Sequence, residues 1–263
     1  MNFKFFDIHS HLNLEPLLGG KAEVLARMRE RGMGTITVGT DFQTSKLAVQ
    51  IAEENGECFA TVGLHPTDNA TEDFDISKYF ELAQNPKVVA IGECGLDYFR
   101  ITNDQLRITK EKQKELFEKH IELAKKTNKP LMIHSRPSKG SMDAYEDVLE
   151  ILSGWTAKLE VNFHFFVGDL TIAKKIVEKG WTMSFDGPIT FARDYDEVIK
   201  NVPIENIMCE TDAPFAAPAP FRGQTCEPYM VEEVYKKIAE LKGLSTEEVQ
   251  AQIAQNIKRV FGI

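Results

Sequence analysis

Six histidine and carboxylate residues lie at or just beyond the ends of short apolar runs, far apart in the sequence. Histidine and carboxylate side chains together suit divalent ions such as Zn, Mn, Fe or Ni. A strand directs residues i and i+2 to the same side, so His9 and His11 would face one ion. We predict a metal site formed by the following residues: His9, His11, Glu93, His134, His164 and Asp212.

The number of candidate ligands exceeds what one tetrahedral ion requires, so we predict two divalent ions with Glu93 between them. An apolar run precedes Glu93, which makes an unpaired carboxylate costly at that position. Two ions can bind opposite oxygens of a substrate and activate a water molecule. We predict that Asp212 accepts the proton of that water, which makes Glu93 and Asp212 the catalytic pair.

Apolar runs alternate with helical patterns along the whole chain. The runs that predict strands are 3–8, 35–38, 58–62, 88–91, 131–133, 159–163, 181–185 and 206–209. The helical patterns are 21–31, 44–55, 76–84, 105–127, 142–152, 170–179, 195–201, 228–242 and 246–261. Apolar runs without polar alternation are typical of parallel strands that are buried on both faces.

Eight strand–helix units in a chain of 263 residues predict a closed (β/α)₈ TIM barrel. The alternative is an open doubly wound sheet, which more often has a glycine-rich loop after its first strand. Here the first run leads into His-Ser-His. In a barrel the predicted ligands meet at one mouth, where the carboxyl ends of the strands converge. We interpret the Pro- and Ala-rich segment 212–223 as a stiff loop, and residues 1–263 as one domain.

The composition narrows the classes of partner and compartment. A formal net charge of −9 argues against a broad basic face for duplex nucleic acid. No stretch approaches the roughly 20 apolar residues that span a bilayer, and the N-terminus lacks a signal-peptide pattern. We therefore expect a cytoplasmic protein without membrane contact. The four cysteines form no C-x-x-C pair, so we expect buried free thiols.

The motifs resemble those of a known family. They are Asp-Ile-His-Ser-His at 7–11, Val-Gly-Leu-His-Pro at 62–66, Ala-Ile-Gly-Glu-Cys-Gly-Leu-Asp-Tyr at 90–98, Ile-His-Ser-Arg at 133–136, His-Phe-Phe-Val-Gly at 164–168 and Cys-Glu-Thr-Asp-Ala-Pro at 209–214. In this order, and across the whole chain, they resemble the TatD family of metal-dependent deoxyribonucleases within the amidohydrolase-like barrels.

The resemblance implies the same barrel and an assignment of the ligands. One ion would be held by His9, His11, Glu93 and Asp212, and the second by Glu93, His134 and His164. His65 would lie beside the substrate phosphate. The implied activity is hydrolysis of phosphodiester bonds by a metal-activated water, commonly as a 3′→5′ exonuclease on DNA. Residues Phe165, Val167 and Cys226 depart from the family pattern, so we expect the substrate contacts to differ.

Several further residues are candidates for substrate contacts. Arginine suits phosphate because its planar fork can bind two oxygens. The predicted contacts are His65, Arg136 and Arg222, with Arg100, Lys139 and Arg193 as weaker candidates and Phe99 and Phe165 as possible stacking partners for a base. His120 lies within a long helical pattern, and we expect it to be structural and exposed on the helix surface.

The predicted function is a metal-dependent deoxyribonuclease acting on single-stranded DNA or strand ends, with no obligate protein partner. Two alternatives stay open. The same ions could serve a metal-dependent amide or ester hydrolase, such as a D-aminoacyl-tRNA deacylase. A non-catalytic barrel scaffold is the third reading, although scaffolds usually lose ligands. The residue types allow Zn, Mn, Mg, Fe or Ni and do not select among them.

Overall fold

The computed structural model describes residues 3–68, 72–102, 109–155 and 159–263. Within these residues eight parallel strands form one sheet in the order β1 to β8. The strands are β1 (Phe5–Ser10), β2 (Met33–Val38), β3 (Cys58–Val62), β4 (Val88–Asp97), β5 (Leu131–Arg136), β6 (Val161–Phe163), β7 (Thr182–Phe185) and β8 (Ile207–Cys209). Sequence neighbours pair throughout, which confirms the predicted barrel.

Helices cover the outside of the strands. They are α1 (Lys21–Glu30), α2 (Phe42–Glu54), α3 (Ile76–Ala83), α4 (Lys110–Thr127), α5 (Asp143–Ser153), α6 (Leu170–Glu178), α7 (Asp196–Asn201), α8 (Val231–Lys242) and α9 (Thr246–Phe261). Side-chain caps fix several starts; for example, the Asp41 carboxylate accepts the Thr44 N–H at 2.7 Å before α2. The apolar faces of these helices bury the core against the sheet.

The sheet closes between β8 and β1 through a few specific contacts. An isolated parallel bridge joins Ser10 to Ala213, and the His11 N–H donates to the Ala213 carbonyl at 2.7 Å. The buried Asp7 carboxylate accepts the His9 and Thr211 N–H groups at 3.1 and 3.0 Å. These bonds tie the end of β1 to the chain beyond β8, which is where three predicted ligands of the first ion lie: His9, His11 and Asp212.

Three strands extend beyond their predicted ends, which corrects the expected position of some ligands. Glu93 was expected after the fourth strand, but β4 continues to Asp97 and contains it. His9 and His134 likewise lie inside β1 and β5. The apolar pattern ends early because polar side chains at the mouth end of a strand face the barrel interior. The strands themselves continue through them.

Other boundaries agree within a few residues. Helix α4 begins at Lys110, and the earlier part of the predicted helix (105–108) lies outside the described residues. The final helical region starts with a short 3₁₀ turn, Pro228–Met230, before α8. All four cysteines are buried and free, as expected. In the described part of the chain, every helix is too short or too polar to cross a membrane.

Candidate metal centre

The fold brings all six predicted ligands to the mouth of the barrel. His9, Glu93 and His134 project from the strands, while His11, His164 and Asp212 follow β1, β6 and β8 within a few residues. His9, His11, Glu93 and His164 are nearly inaccessible, with exposures of 0 to 4%. The side chains of His134 and Asp212 are each 15% exposed and face the opening. Six residues distant in sequence therefore form one compact cluster.

Glu93 lies at the centre, and its two oxygens face different histidines. Oε1 lies 2.9 Å from His134 Nδ1 and 2.9 Å from His164 Nε2. Oε2 lies 3.6 Å from His9 Nε2 and 4.0 Å from His11 Nε2. This division would allow Glu93 to bridge two ions, and the assignment of the ligands to two sets stays a prediction.

Asp212 completes the group around His9 and His11. Its Oδ1 atom lies 3.5 Å from His9 Nε2 and 3.3 Å from His11 Nε2. The two Nε2 atoms are themselves 3.2 Å apart. The His9 ring also stacks on the His164 ring, with centroids 3.9 Å apart, so the two ligand sets are in direct contact.

Hydrogen bonds on the outer side orient three of the histidines. His11 Nδ1 faces the Val38 carbonyl at 3.1 Å, His134 Nε2 faces Asp97 Oδ2 at 3.1 Å, and His164 Nδ1 faces Glu210 Oε1 at 3.3 Å. Each outer partner is an acceptor, so each outer nitrogen carries a proton. The inner nitrogens then offer lone pairs to the centre. Metal-ligating histidines are held in this way by outer acceptors.

The pKa shifts in the cluster favour positive charge at its centre. Burial alone would raise the pKa of Glu93, but the neighbouring His164 and the hydrogen bond with His134 hold it well below its usual range. Burial would lower the pKa of His164, yet Glu93 and Glu210 raise it well above the ordinary value. Both shifts mean that the carboxylates favour positive charge at the centre, which a divalent ion supplies in place of a proton.

The donor set fits divalent ions. Three groups of ligand atoms lie within 4.8 Å of one another: His9 with His164 and Asp212, His9 with His11 and Glu93, and His65 with Glu93 and His134. At these separations the imidazole nitrogens and carboxylate oxygens of each group are close enough to share one ion. Imidazole and carboxylate donors suit Zn, Mn, Fe or Ni, so the geometry agrees with the predicted chemistry.

His65 also faces the cluster, but its inward nitrogen is a hydrogen-bond donor, unlike the inward nitrogens of the other histidines. The Thr67 N–H donates to His65 Nδ1 at 3.3 Å, which makes Nδ1 an acceptor. Burial lowers the pKa of His65 to about 3, so the ring is neutral at pH 7. Its proton therefore lies on Nε2, which is 3.5 Å from Glu93 Oε1. This histidine presents an N–H donor to the cavity where the other inner nitrogens present lone pairs.

The backbone at the mouth adopts unusual conformations beside the ligands. Phe165 and Asp212 have φ values of 45° and 55°, in the left-handed region that bulky residues rarely occupy. Gly92 has φ of 152°, and a Cβ there would lie 2.4 Å from the Met132 carbonyl oxygen. The close approach of β4 and β5 at Gly92 sets the position of the adjacent Glu93. Such local strain is concentrated at functional sites.

A cavity of about 620 Å³ opens above the cluster. The ligands form its base, and Arg100, Arg136, Phe165, Tyr195 and Phe215 are among the residues of its wall. The volume lies within the range of small-molecule sites, about 300–1,000 Å³. The cavity is therefore large enough for a substrate fragment that contacts the metal ligands and the wall together.

The predicted cationic contacts occupy different positions around this opening. The Arg136 guanidinium lies 4.2 Å from the centre of the Phe99 ring, and Arg136 lines the cavity. Arg222 is exposed and stacks over Phe191 at 4.0 Å, outside the cavity wall. Arg100 lines the cavity, with Nε 3.7 Å from Asp97 Oδ2. The roles of Arg136 and Arg222 stay predictions.

The remaining candidate cations face solvent. Lys139 is exposed, on the segment that follows β5. Arg193 Nη1 lies 3.6 Å from Asp196 Oδ1, and its Nη2 donates to the Thr190 carbonyl. A guanidinium held by these partners is less available to a substrate than one in the cavity wall.

One residue prediction is wrong in its placement. His120 was expected on the surface of its helix, but it is fully buried. Its Nε2 accepts the Leu64 N–H at 3.0 Å, and its Nδ1 donates to the Leu116 carbonyl at 2.9 Å. The ring also packs on Phe74, with centroids 4.2 Å apart. Both nitrogens are paired, which is how a buried imidazole avoids the cost of desolvation.

Sequence reasoning did not assign roles to two carboxylates of the site. Asp97 holds His134, and Glu210 holds both His164 Nδ1 and the Phe165 N–H, the latter at 2.7 Å. Glu210 also accepts the Ser184 hydroxyl at 2.5 Å. Glu210 directly follows an apolar run, as the ligands do, whereas Asp97 lies six residues beyond one, so position gave a signal for Glu210 alone. Only the fold shows that they face ligand histidines and not the centre.

Comparisons with known proteins agree with this geometry. The sequence profile of the family described as "TatD related DNase" matches residues 6–262. The chain belongs to the TatD family. It is 39% identical to the metal-dependent hydrolase YabD of Bacillus subtilis, over 98% of this chain and 99% of YabD. It is 33% identical to the metal-dependent hydrolase TatD of Mycobacterium tuberculosis, over 97% and 98% of the two chains.

A solved structure supports the same assignment. The TatD homologue YjjV of Escherichia coli superposes with a TM-score of 0.88 at 26% identity, covering 100% of both chains. A second TatD-family structure, from Entamoeba histolytica, gives a TM-score of 0.82 at 22% identity and shares the fold, over 99% of each chain. This TatD-family chain is therefore a metal-dependent hydrolase with a (β/α)₈ barrel.

Proposed function

We propose that this TatD-family hydrolase cleaves phosphodiester bonds in DNA and removes nucleotides from the 3′ end of a single strand. One observation carries the proposal: the cluster of metal-ligand atoms forms the base of a cavity that has guanidinium and aromatic groups in its wall. Phosphate is recognised by arginine, and bases by stacking on aromatic rings. The family description names a DNase, which agrees with this reading.

The six predicted ligands are assigned to two ions, and Asp212 also has a role in moving a proton. His9, His11, Glu93 and Asp212 would hold one divalent ion, and Glu93, His134 and His164 the other. Such ions supply Lewis acidity and an activated water at neutral pH. Burial would raise the pKa of Asp212, but His11 and His9 lower it, so its carboxylate is ionised and accepts the proton of the attacking water.

The cavity wall supplies the groups that bind the phosphate. His65 presents its Nε2–H beside Glu93, and Arg136 lines the same cavity. We assign both to the non-bridging oxygens of the scissile phosphate, where they would stabilise the charge that develops during attack. The acidic net charge of −9 agrees with a small pocket for a strand end better than with a long duplex-binding face.

Phe215 is our candidate for the aromatic ring on which the base beside the reacting phosphate stacks. It is 53% exposed, lines the cavity, and its ring centroid lies 6.2 Å from that of the ligand His11. Stacking of a base on an aromatic ring contributes about 1–3 kcal/mol. Phe215→Ala should therefore raise KM about tenfold for thymidine 5′-(p-nitrophenyl phosphate) and leave KM for methyl p-nitrophenyl phosphate nearly unchanged. Phe80→Ala, at an exposed aromatic on α3, is the matched control.

The direct test uses the purified full chain loaded with Mg²⁺, Mn²⁺ or Zn²⁺ and a single-stranded oligonucleotide labelled at its 5′ end. We expect a ladder of progressively shorter labelled products, because removal from the 3′ end retains the label. Release of the labelled mononucleotide first would show the opposite polarity. Intact DNA with all three ions would disprove the nuclease proposal.

A parallel assay decides between the proposed reaction and the second enzyme reading. D-aminoacyl-tRNA and simple amino-acid esters are offered to the same preparations. Cleavage of these esters with DNA left intact would assign acyl transfer to the site. Absence of both activities in a preparation that binds metal would favour the scaffold reading.

A further inference from the structure

Two polar side chains on helix α4, Gln113 and His120, are fully buried although neither touches the predicted metal ligands. They are seven residues apart, which is close to two helical turns, so they share one face of the helix. Their neighbours on this face are apolar core residues. A buried amide or imidazole is costly unless its bonds are made, so the presence of both requires an explanation.

Gln113 binds the backbone of the residue that orients a ligand. Its side-chain oxygen accepts the Asp97 N–H at 2.7 Å, and its amide nitrogen donates to the Asp97 carbonyl at 2.9 Å. The Asp97 side chain in turn faces His134 Nε2 at 3.1 Å. Gln113 therefore holds both backbone polar groups of Asp97. The Asp97 carboxylate in turn orients the ring of the predicted ligand His134.

His120 makes the equivalent contact with the neighbouring segment. Its Nε2 atom accepts the Leu64 N–H, and the next residue along the chain is His65. The His65 N–H donates to the Thr40 carbonyl at 2.7 Å, so the backbone on both sides of this peptide is held. Because Nδ1 of His120 donates to Leu116 within α4, the tautomer that leaves Nε2 free to accept is set by the helix itself.

We propose that Gln113 and His120 are positioning residues for the hydrolytic reaction, because α4 holds through them the two segments that carry Asp97 and His65. The substrate used to test this proposal is chosen from the proposed function. The positioning of the ligands by α4 does not depend on that function. Gln113 acts on the metal ligand His134 through Asp97. His120 acts on the phosphate contact His65 through Leu64. The two residues should therefore affect different measurable steps.

For Gln113 the test is metal affinity as well as activity. Gln113→Met keeps the length of the side chain and removes both bonds to Asp97. We expect Zn²⁺ or Mn²⁺ binding, measured by calorimetry on the metal-free chain, to weaken about tenfold, in the range found for outer-shell partners of metal ligands. We expect kcat on thymidine 5′-(p-nitrophenyl phosphate) to fall by a similar factor with KM unchanged.

For His120 the test is a split between KM and metal affinity. His120→Leu removes the acceptor for Leu64, and we expect KM for the same ester to rise several-fold while metal affinity stays at the wild-type value. His120→Gln places an amide oxygen near the position of Nε2 and should restore KM. If His120→Leu does not fold, His120→Asn, whose amide is too short to reach Leu64, replaces it.

The control is Ile121→Ala, a truncation of a fully buried apolar residue on the same helix. It should lower Tm without changing metal affinity, kcat or KM of the folded protein. The proposal is overturned if the Gln113 and His120 variants lower Tm like the control and keep wild-type metal affinity, kcat and KM. If Gln113→Met does not fold, the KM values of the His120 variants alone test the proposal.

The proposed function and this inference can fail separately. A wild-type chain that binds metal but does not cleave the nucleotide ester would contradict the proposed function. The metal affinity of Gln113→Met would still show whether α4 positions the ligands.

Discussion

The two ends of the barrel both hold polar side chains, half-buried at one end and buried at the other, but they pair them differently. At the end where the strands begin, lysines face backbone carbonyls: Lys87 Nζ donates to Asn55 and Cys58 at 3.2 and 3.1 Å, and Lys129 Nζ donates to Val88 at 2.5 Å. At the mouth, the inner nitrogens of histidines face one another and the carboxylates of Glu93 and Asp212. The first arrangement pairs every donor with a protein acceptor, whereas the second has a donor set that suits a divalent ion.

The backbone shows the same contrast. Among the described residues, non-glycine residues with positive φ are Asn128, Phe165, Asp212 and Ala216. Asn128 ends helix α4 in the usual left-handed cap, and the other three lie in segments that follow β6 and β8 at the mouth. Apart from the Asn128 cap, positive φ at non-glycine residues is thus found, among the described residues, in the segments at the mouth that carry or adjoin the ligands.

The largest expected effect is the loss of activity at the centre of the mouth. Glu93→Gln removes the charge that faces both ligand sets, and it should lower kcat/KM by about 10³-fold or more, since metal ions contribute several kcal/mol. The measurement is hydrolysis of labelled single-stranded DNA, together with circular dichroism to show that the chain is folded. Glu57→Gln, at the opposite end beside Arg29, is the matched control and should keep wild-type activity.

The next effect concerns pH and distinguishes His120 from the ligand histidines. Burial lowers the pKa of His120 to about 4, below its unfolded value near 6.5. Because the unfolded chain binds the proton more tightly, this residue stabilises the fold above pH 6.5. That stability is lost as the pH falls towards 4, by up to about 3 kcal/mol.

Metal-free wild type and His120→Gln are compared by urea unfolding between pH 7 and 4. The wild type should lose stability relative to the variant as the pH falls. Parallel stability curves for the two proteins would contradict the assignment of a buried neutral imidazole at this position.

A third effect tests the acceptors behind the ligands. Asp97→Asn replaces the carboxylate behind His134 with an amide, and we expect metal affinity or activity to fall about 10–100-fold, as for other outer partners of ligating histidines. Calorimetric titration with Zn²⁺ measures the affinity. Unchanged affinity would show that Asp97 contributes only to the local backbone.

The smallest effect belongs to the opposite end of the barrel. Lys87→Met removes a charged donor from the carbonyls of Asn55 and Cys58, and it should cost about 1–3 kcal/mol of unfolding free energy. Activity of the folded variant should stay within twofold of wild type, on the order of 0.4 kcal/mol. A large loss of kcat with little loss of stability would mean that the two ends are coupled.

Much of the site could be predicted from the sequence because ligand-type residues are uncommon beside apolar strands. His9, His134 and His164 stand out against the runs that precede them, and the barrel brings such positions together. Glu210 directly follows an apolar run as well, and Asp97 lies in the motif at 90–98, but the sequence assigned a role to neither. Their function depends on the direction of the side chain, and one carboxylate cannot be told from another by its position after a strand.

His120 shows the opposite limit. Helical periodicity placed it in α4, but one polar residue in a strongly charged helix gave no reason to expect burial. The partner that satisfies its Nε2 is a backbone N–H more than fifty residues earlier in the chain, at Leu64. A hydrogen bond to a backbone atom does not depend on the type of the partner residue, so the sequence does not reveal it. This is also why Gln113 passed unnoticed.

The sequence by itself determined the alternation of strands and helices, the barrel and the chemical nature of the ligands, because burial and donor type are properties of residue type and spacing. The tertiary structure decided which nitrogen of each histidine points inward, and that His65 presents a proton where its neighbours present lone pairs. It also decided that α4 reaches two segments of the mouth. These features depend on distances of about 3 Å between residues far apart in the chain, which only packing of the complete barrel sets.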